Sequence, residues 1–490
     1  MIEKLTVFLP YSGNNWTLHI VNELKKSLLV ENIFLLAPDK SINGLSDCRT
    51  LYVDSLFSLD SIKLISKCAG SNLILLFTKD ILIELYPGTL ERLISVLKDT
   101  NAGIVYSDFY ETKSEIKTAH PLLDYHLGSI RDDFDFGSMV LIQNEALSKS
   151  LEVGTNNYLH AGLYNSRLWI SENYPVIRIR EFLYELFDND LRNPSEKHFD
   201  YVVLRNRAVQ EEMEKAATEH LKRIGAYLTP EFDKLPPDNS DFEYEASVII
   251  PVKDRANTIC DAVESVLKQK TNFPYNLIVV DNHSTDGTSD IIKNYALKEK
   301  NIIHIIPGSS SLGIGGCWNE AVSNDKCGRY CIQLDSDDIY YDENTLQKFV
   351  DLFRSEKYAM IIGSYRVTDF NLNELPPGIV AHKEWTSDNG RNNALRINGL
   401  GAPRAFYTPL IREIKFPNVS YGEDYAVCLK ISRNYQIGRI YDPVYICRRW
   451  HGNSDAALSV EKQNLYNSYK DSLRANEILS RQKLNYAKIN

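Results

Sequence analysis

The sequence predicts an α/β protein built from two tandem domains with mostly parallel β-sheets. Two observations carry this prediction. Short apolar runs alternate with helical segments along both halves of the chain, and the pattern of the first half returns in the second. With 490 residues, of which 43% are hydrophobic, the chain is long and apolar enough for two to three domains with cores of their own.

The first half of the chain alternates strands and helices. Leu5 to Leu9 and Ile33 to Ala37 are predicted strands, and Leu18 to Leu29 between them is an amphipathic helix. Strands alternating with helices at this spacing indicate parallel βαβ units. The remaining predicted elements of this half are helices at Ser61–Cys68, Leu90–Leu97 and Ala161–Ser171 and strands at Leu73–Phe77, Gly103–Tyr106 and Pro175–Ile179.

The composition changes after residue 186, which sets the domain boundaries. Arg207 to Ile224 is a charged helical stretch, and Thr229 to Asp241 combines paired prolines with acidic residues, a composition typical of a linker. We therefore expect a first domain over residues 1–186, a helical and proline-rich linker over 187–245 and a second domain over 246–458. The tail over 459–490 is expected to form helices packed on the second domain, or an oligomer contact.

The second domain repeats the first. Ala246 to Pro251 is similar to Leu5 to Pro10, and Ser432 to Ile440 is similar to Ser171 to Ile179. Similar segments in the same order at nearly constant separation indicate a duplicated domain. The alternative is that any two βαβ domains share such patterns.

Carboxylates follow the central strand of the second copy. The apolar run Cys331 to Leu334 ends at Asp335, Asp337 and Asp338, whereas the first copy has Thr78-Lys79-Asp80. Open α/β sheets bind ligands at the carboxyl ends of their strands, and paired carboxylates there can hold Mg²⁺ or Mn²⁺. A solvated turn or a helix N-cap is the alternative for so short a motif. The first copy is predicted to keep the fold and lose the chemistry.

Charge and cysteine content exclude several classes of protein. A formal net charge of −10 argues against nucleic acid as the main partner. The eight cysteines are scattered without CxxC pairs, which favours reduced thiols in a cytosolic protein over a disulfide framework or a zinc site. The most apolar stretch, Asn72 to Tyr86, contains Lys79 and Asp80, so no segment is expected to span a bilayer. Peripheral membrane contact stays open.

Four motifs follow one another in the second copy: Ser247–Arg255, Val279–Gly287, Leu334–Asp338 and Tyr421–Asp424. In kind and order they resemble the motifs of family 2 glycosyltransferases, which have the GT-A fold. The resemblance covers about residues 245 to 459, and for residues 1 to about 185 it rests on the internal repeat. It implies two tandem Rossmann-like GT-A-type domains, the first of them degenerate.

The resemblance also implies a reaction and a setting. The expected reaction is inverting, metal-dependent transfer of a sugar from a nucleotide-sugar donor, first a UDP-sugar, to a hydroxyl of a glycan or lipid-linked acceptor. The expected cofactor is Mn²⁺ or Mg²⁺. Bacterial polysaccharide or glycan synthesis is the expected setting, in the cytoplasm, with a place at the inner face of the membrane left open.

The resemblance assigns donor-side roles to several residues. Asp281 would accept a hydrogen bond from the nucleotide base, although a turn cap is the alternative reading. Asp335 and Asp337 would bind the ribose and the metal, with Asp337 the stronger metal ligand, and His451 would be a further ligand. The other expected nucleotide contacts are Pro251, Val252, Arg255 and Ser336, with Lys253 as a further candidate and Arg448 or Arg449 meeting phosphate.

The resemblance places the base in the last motif. Asp424 would take the proton of the acceptor hydroxyl as that oxygen attacks the anomeric carbon. Glu423 would orient the acceptor or pair with a cation, and the alternative is that both acids form the first turn of a helix. Trp318 stands where the family often has a basic residue, which weakens any phosphate contact from that helix.

Three other functions were weighed. A sugar nucleotidyltransferase would be expected to show a glycine-rich loop after the first strand, and Pro251 to Arg255 contains no glycine. Activity in both copies conflicts with Ala37, Thr78 and Lys79 in the first. A non-catalytic carbohydrate-binding or scaffold protein stays open, although the intact acids of the second copy count against it.

Overall fold

The structure is a computed structural model that describes residues 3–42, 44–46, 48–153, 156–187, 207–236, 240–383, 385–450, 453 and 458–489. The chain divides into two compact units. The first holds the described residues of Met1–Asn193, Leu204–Tyr227 and Leu458–Asn490, and the second holds those of Leu228–Ala457. No helix among the described residues is long and apolar enough to cross a membrane.

The elements are numbered here in chain order. The strands are β1 (Leu5–Pro10), β2 (Val30–Ala37), β3 (Arg49–Tyr52), β4 (Leu73–Phe77), β5 (Leu82–Leu85), β6 (Ile104–Lys113), β7 (Ile116–His120), β8 (Met139–Gln143), β9 (Val176–Phe187), β10 (Ala246–Val252), β11 (Tyr275–Asp281), β12 (Ile302–Ile305), β13 (Tyr330–Gln333), β14 (Ile339–Tyr340), β15 (Met360–Thr368), β16 (Glu374–Val380), β17 (Arg404–Tyr407) and β18 (Ile437–Arg448).

The helices are numbered in the same way. They are α1 (Trp16–Leu24), α2 (Leu59–Cys68), α3 (Thr89–Thr100), α4 (Asn144–Leu151), α5 (Gly162–Asn173), α6 (Arg207–Arg223), α7 (Ile259–Leu267), α8 (Thr288–Lys298), α9 (Ile314–Ser323), α10 (Thr345–Glu356), α11 (Gly390–Asn393), α12 (Thr408–Ile414), α13 (Glu423–Asn434) and α14 (Val460–Ile489).

Both units contain the same sheet, which confirms the predicted duplication. The strand order is β3-β2-β1-β4-β8-β6-β9-β5 in the first unit and β12-β11-β10-β13-β17-β15-β18-β14 in the second. In each unit one further strand, β7 or β16, forms an antiparallel hairpin with β6 or β15. Two unrelated βαβ domains would not be expected to share a complete strand order with its side hairpin.

Each sheet is parallel over its first four strands and mixed beyond them. The parallel part consists of β12, β11, β10 and β13 in the second unit, and β17 then runs antiparallel to both β13 and β15. The central strands are apolar and almost wholly buried because helices cover both faces of the sheet. The carboxyl ends of the parallel strands therefore share one edge, where a ligand can bind.

The sequence patterns missed several strands of the mixed part. The antiparallel strand Met139–Gln143 has no polar alternation because both of its faces are buried, so its run of apolar residues looks no different from a helical one. The predicted helix Leu18 to Leu29 ends earlier, at Leu24, and Leu28 is exposed. The equivalent strand of the second unit, Arg404–Tyr407, was also missed.

The prediction that the tail packs on the second domain is wrong, because α14 lies in the first unit. Asn464 donates a side-chain hydrogen bond to the carbonyl of Pro121, and Arg131 forms an ion pair with Asp471 at 3.1 Å. The carbonyl of Asp471 lies so close to Gly128 that a Cβ there would be 1.8 Å away. The buried face of α14 carries charged residues that pair with one another, Asp471 with Arg474 and Glu477 with Arg481, which is why it lacks an apolar run.

The predicted linker also joins its neighbours. The helix α6 belongs to the first unit, where Arg223 and His220 both contact the carboxylate of Glu172. The part of the linker at residues 188–206 lies outside the described residues.

The segment that enters the second unit is held by the short helix α11. The buried amide of Asn392 accepts from the backbone N–H of Leu228 at 3.0 Å and donates to its carbonyl at 2.9 Å. Arg391 donates to the carbonyls of Thr229 and Glu231 and also to that of Ser432 at the end of α13. These bonds tie the incoming chain to the helix whose first turn carries the Glu-Asp pair.

We predict that Asn392→Ala lowers the free energy of unfolding by about 1–3 kcal/mol, because it leaves a buried backbone N–H and a buried carbonyl unsatisfied. Urea unfolding followed by tryptophan fluorescence measures this change. The matched control is Asn371→Ala, since Asn371 is exposed. Equal midpoints for the two variants would contradict the role given to Asn392.

Candidate active site

A cavity of about 350 Å³ opens at the carboxyl edge of the second sheet. Two acidic segments line it: the loop after β13 and the first turn of α13. Its acidic lining residues are Asp335, Asp337, Asp338, Glu423 and Asp424, its basic ones are Arg255, Arg404 and Arg449, and its apolar ones include Ile314, Trp318, Phe406 and Phe416. The acids that the sequence placed in two separate motifs thus meet in one cavity.

The acidic loop is held in place by the end of β18. The backbone N–H of Arg448 donates to Asp338 at 2.7 Å, and its guanidinium donates to the carbonyl of Asp337 at 2.7 Å. The carboxylate of Asp337 accepts from the indole N–H of Trp450 at 3.1 Å and from Asn453 at 3.2 Å. Asp338 is buried and anchors the loop to the backbone of Arg448. Asp337 lies at the cavity, and Trp450 and Asn453 already donate hydrogen bonds to it.

The acids of this loop crowd one another. Burial raises the pKa of Asp335, and the charge of Asp337 raises it further against a hydrogen bond from Gln333. Burial and the charges of Asp335 and Asp337 raise the pKa of Asp338 well above its usual range. A positive charge bound here would relieve both effects, so the loop favours a cationic ligand.

The donor chemistry of the loop fits a hard divalent cation. Asp335 and Asp337 present carboxylate oxygens to one cavity, and Mg²⁺ or Mn²⁺ bound by one or two carboxylates completes its shell with water and substrate phosphate. Within the described residues, no three His, Cys, Asp or Glu side chains form a metal site by themselves. The predicted third ligand, His451, lies outside the described residues.

The Glu-Asp pair occupies the first turn of α13. Gly422 has a φ of 81° at the N-cap position, which turns the chain into the helix, and the helix N-terminus favours carboxylates. The two acids have different surroundings. Asp424 is 26% exposed and forms an ion pair with Arg404. Glu423 is buried, and its Oε2 has no hydrogen-bond partner among the described residues.

The surroundings of Glu423 favour its protonated form at neutral pH. Burial is the largest cause, and the neighbouring charge of Asp424 adds to it, so the pKa of Glu423 is raised to about 8. A buried carboxyl without a partner is costly in the ionised form. At neutral pH the pair therefore combines one carboxylate fixed by a cation with one carboxylic acid able to donate a hydrogen bond.

Some of the predicted nucleotide contacts do not reach the cavity. Asp281 is fully buried, and its carboxylate accepts from the backbone N–H of Ser284 and the hydroxyl of Ser289. Burial by itself would raise the pKa of Asp281, but these hydrogen bonds and His304 outweigh it and lower the pKa. Val252 is buried and does not line the cavity either.

The other predicted residues lie at the cavity. Pro251, Arg255 and Ser336 line it, as does Arg449. The guanidinium of Arg255 lies 5.9 Å from the centre of the Trp450 ring. Of the two arginines predicted to meet phosphate, Arg449 therefore lines the cavity, whereas Arg448 holds the acidic loop by its hydrogen bonds to Asp337 and Asp338.

Trp318 lines the apolar wall instead of contributing a charge. Its ring lies 5.2 Å from that of Phe416, and both side chains are buried. The glycines before it let α9 approach the segment that leads to α13, because a Cβ on Gly315 would be 2.0 Å from the carbonyl of Pro417. The departure of Trp318 from the family pattern is thus accommodated as packing.

Sequence reasoning missed two polar residues of the site. Arg404 lies in the stretch Ile397 to Phe406, which contains two glycines and belongs to none of the four motifs. Its guanidinium bridges Gln333 and Asp424, and Gln333 in turn donates to Asp335 at 2.9 Å. The available signal was an arginine between a proline and an apolar run, which is too common to indicate a function.

The first copy uses the same positions differently. Asp80, the counterpart of Asp337, accepts from the backbone N–H of Ser12 at 2.8 Å and the indole N–H of Trp16 at 2.9 Å, so it anchors the loop after β1. Gly162, the counterpart of Glu423, meets α2 so closely that a Cβ would be 2.4 Å from the nitrogen of Leu59. The first copy therefore retains the sheet, uses Asp80 to hold a loop, and lacks acids at the positions of Asp335 and Glu423.

Residues 247–413 match the family model described as Glycosyl transferase family 2. The second domain belongs to this family. The match includes Asp281, Asp335 and Asp337, and the Glu-Asp pair begins at Glu423, ten residues beyond the end of the match at 413. The prediction of a family 2 glycosyltransferase domain preceded by a degenerate GT-A-like copy is confirmed.

Two curated relatives are similar to part of this chain. One is the poly(ribitol-phosphate) beta-glucosyltransferase of Bacillus spizizenii, 25% identical over 47% of this chain and 36% of its own length. The other is the UDP-Glc:alpha-D-GlcNAc-diphosphoundecaprenol beta-1,3-glucosyltransferase WfgD of Escherichia coli, 27% identical over 45% of this chain and 81% of its own length. The aligned region thus spans about a third of the first relative.

Solved structures also resemble this chain. The structure of S. aureus TarS residues 1–349 in complex with UDP-GlcNAc is 24% identical with a TM-score of 0.37, and the match covers 48% of this chain and 72% of that chain.

We predict that Glu423→Gln changes how stability depends on pH. Folded Glu423 keeps its proton up to about pH 8, whereas an unfolded glutamate loses it near 4.5, so this side chain stabilises the wild type least at high pH. Urea midpoints measured in EDTA should be similar for both proteins at pH 5, and the variant should be the more stable at pH 8. Parallel curves for the two proteins would contradict the assigned protonation.

Proposed function

We propose that the protein transfers a sugar from a nucleotide-sugar donor to a hydroxyl of a glycan or lipid-linked acceptor, with inversion and with a divalent cation. One observation carries the proposal: the acidic loop at Asp335 and Asp337 and the acid pair at Glu423 and Asp424 line the same cavity. A donor diphosphate held at the loop would place its anomeric carbon between the two groups of acids.

The residues divide the reaction between them. Asp335 and Asp337 would hold the cation, whose chemistry is to neutralise charge on the departing nucleoside diphosphate. Arg449 and Arg255 line the same cavity and supply positive charge for the phosphates. Asp424 accepts the proton of the acceptor hydroxyl as its oxygen attacks, and protonated Glu423 donates a hydrogen bond to a neighbouring oxygen of the acceptor.

The apolar wall supports a sugar acceptor. Ile314 is 38% exposed and lines the cavity together with the buried side chains of Trp318 and Phe416, so it offers an apolar surface on which a sugar ring can pack. The edges of the ring would then meet the carboxyl groups of α13. This combination of an apolar face and convergent polar groups is typical of small-molecule sites.

The relatives support the choice of substrates. WfgD is named for a UDP-glucose donor and a diphosphate lipid-linked acceptor, and the Bacillus relative for a poly(ribitol phosphate) acceptor. Both names describe beta products, which favours inversion, since common glucosyl nucleotides carry an alpha linkage. We therefore propose a UDP-sugar as the donor and bacterial cell-surface polysaccharide synthesis as the setting.

The first copy has an architectural or acceptor-binding role in this proposal. Its counterpart carboxylate is committed to Ser12 and Trp16, and Gly162 leaves no acid at the start of α5. A non-catalytic carbohydrate-binding function for the whole chain is disfavoured by the unpartnered, protonated Glu423 of the second copy, because a buried acid is costly to keep without a role.

We predict that Asp424→Asn lowers donor turnover by about 10²–10⁴-fold while donor binding persists, because only the proton acceptor is removed. The measurement is Mn²⁺-dependent release of nucleoside diphosphate from a panel of nucleotide sugars, with binding followed by thermal shift. Asp325→Asn, at an exposed acid of the same domain, is the matched control and should keep full activity. If no donor is hydrolysed and none shifts the melting temperature with metal, the proposed function is wrong.

A second prediction compares the two copies at one position. Asp337→Ala should abolish metal-dependent turnover with little loss of stability, since relief of the repulsion with Asp335 and Asp338 offsets the lost hydrogen bonds from Trp450 and Asn453. Asp80→Ala should leave turnover intact and lower the free energy of unfolding by about 1–3 kcal/mol, because it releases the backbone N–H of Ser12 and the Trp16 indole. Turnover assays and urea unfolding of both variants check this reversal, which fails if Asp80→Ala also inactivates the enzyme.

A further inference from the structure

Arg404 connects the donor side of the cavity to the acceptor side. Its Nη1 donates to Gln333 Oε1 at 2.9 Å, and Gln333 Nε2 donates to Asp335 Oδ1 at 2.9 Å. Its Nη2 pairs with Asp424 Oδ2, and its Nε donates to the carbonyl of Leu400 at 2.6 Å. All three nitrogens of the guanidinium are thus engaged, each by a different group.

The guanidinium has little freedom to move. The Arg404 side chain is 12% exposed, and two of its partners are fixed by the sheet and the loop before β17. Arginine presents its donors as a rigid planar fork, so two fixed contacts determine where the third donor points. The remaining donor therefore sets the rotamer of the Asp424 carboxylate, whose Oδ1 accepts from the backbone N–H of Tyr425 at 2.6 Å.

We propose that Arg404 is a positioning residue, which holds Asp424 in the orientation needed to accept the acceptor proton and joins it through Gln333 to Asp335. This inference rests on the proposed function. It adds a residue that none of the four sequence motifs contains. A displaced base costs rate steeply, because proton transfer requires hydrogen-bond distance to the attacking hydroxyl.

The charges around Asp424 come from three elements. Arg404 on β17 is the positive one, whereas Glu423 on α13 and Asp335 after β13 are acidic groups that act on the same guanidinium. Cys428, one turn further along α13, also faces it. Removal of Arg404 thus takes away the cation that pairs with Asp424 and leaves the acidic group of Glu423 beside it.

The first test uses variants with matched chemistry. Arg404→Met removes both the positive charge and the planar set of N–H donors. Arg404→Lys keeps the positive charge but not the planar set of donors. Arg412→Met is the control, because Arg412 also donates to two backbone carbonyls, those of Val322 and Asn324, but does not line the cavity.

The expected kinetic results distinguish positioning from a structural role. Arg404→Met should lower kcat/KM by about 100-fold and move the acid limb of its pH profile up by about one pH unit or more, because the ionised base is disfavoured. Arg404→Lys should lower kcat with the limb near that of the wild type. Arg412→Met should change neither. The proposal would be overturned if Arg404→Met had the same pH profile of kcat/KM as the wild type. It would also be overturned if both Arg404 variants lost the same activity and neither shifted the acid limb of that profile.

A second measurement does not depend on turnover. In a double-mutant cycle of Arg404→Met and Asp424→Asn, measured by urea unfolding, the loss of stability in the double variant should be smaller than the sum of the two single losses, because removing Asp424 no longer breaks the ion pair once Arg404 is gone. Additive shifts would overturn the pairing. If the cycle shows coupling and the wild type turns over no donor, the proposed function fails while the ion pair stands. If turnover is normal and the cycle is additive, the proposed function stands and this inference fails.

Discussion

Repulsion among buried carboxylates is the constraint on which the second domain depends. Asp335, Asp338 and Glu423 all have raised pKa values, chiefly through burial and then through the charges of neighbouring acids. Such a cluster destabilises a fold unless cations or protons compensate for it. Arg448 holds the loop, and Arg404 holds Asp424. The acids that these arginines do not neutralise lie where a cation and a diphosphate would bind. Ligand affinity and local instability thus have the same origin.

The two copies show that the frame does not require this cluster. Both sheets have the same strand order, yet the first copy satisfies Asp80 with local donors and closes the space beside α5 with Gly162. Fold and chemistry are therefore separable in this chain: the apolar strands determine the sheet, and a few residues at its edge determine the site. The shared strand order alone thus does not indicate which copy is active.

Sequence patterns predicted the parallel strands, the duplication and the acids, because each leaves a local signal: an apolar run, a repeated order, or a run that stops at aspartates. They could not place Asp281 or Arg404. The carboxylate of Asp281 is held by its own turn because Ser284 and Ser289 both donate to it, and spacing alone does not distinguish this arrangement from a base contact. The expected packing of the tail on the second domain was wrong because no continuous apolar run marks its buried face: Arg474 and Arg481 are buried and paired within their own helix.

Arg404 owes its place to the direction of one strand. In a parallel sheet every strand ends at the ligand edge, so only residues after strands reach the site. Because β17 runs antiparallel to β13, its first residue lies beside the end of its neighbour: Ala405 pairs with Ile332, and Arg404 adjoins Gln333. In the first copy the equivalent pair is Val140 and Leu76, both apolar. A reversed strand thus gives the edge a second source of side chains, and in the second copy that source provides the cation that faces the acids.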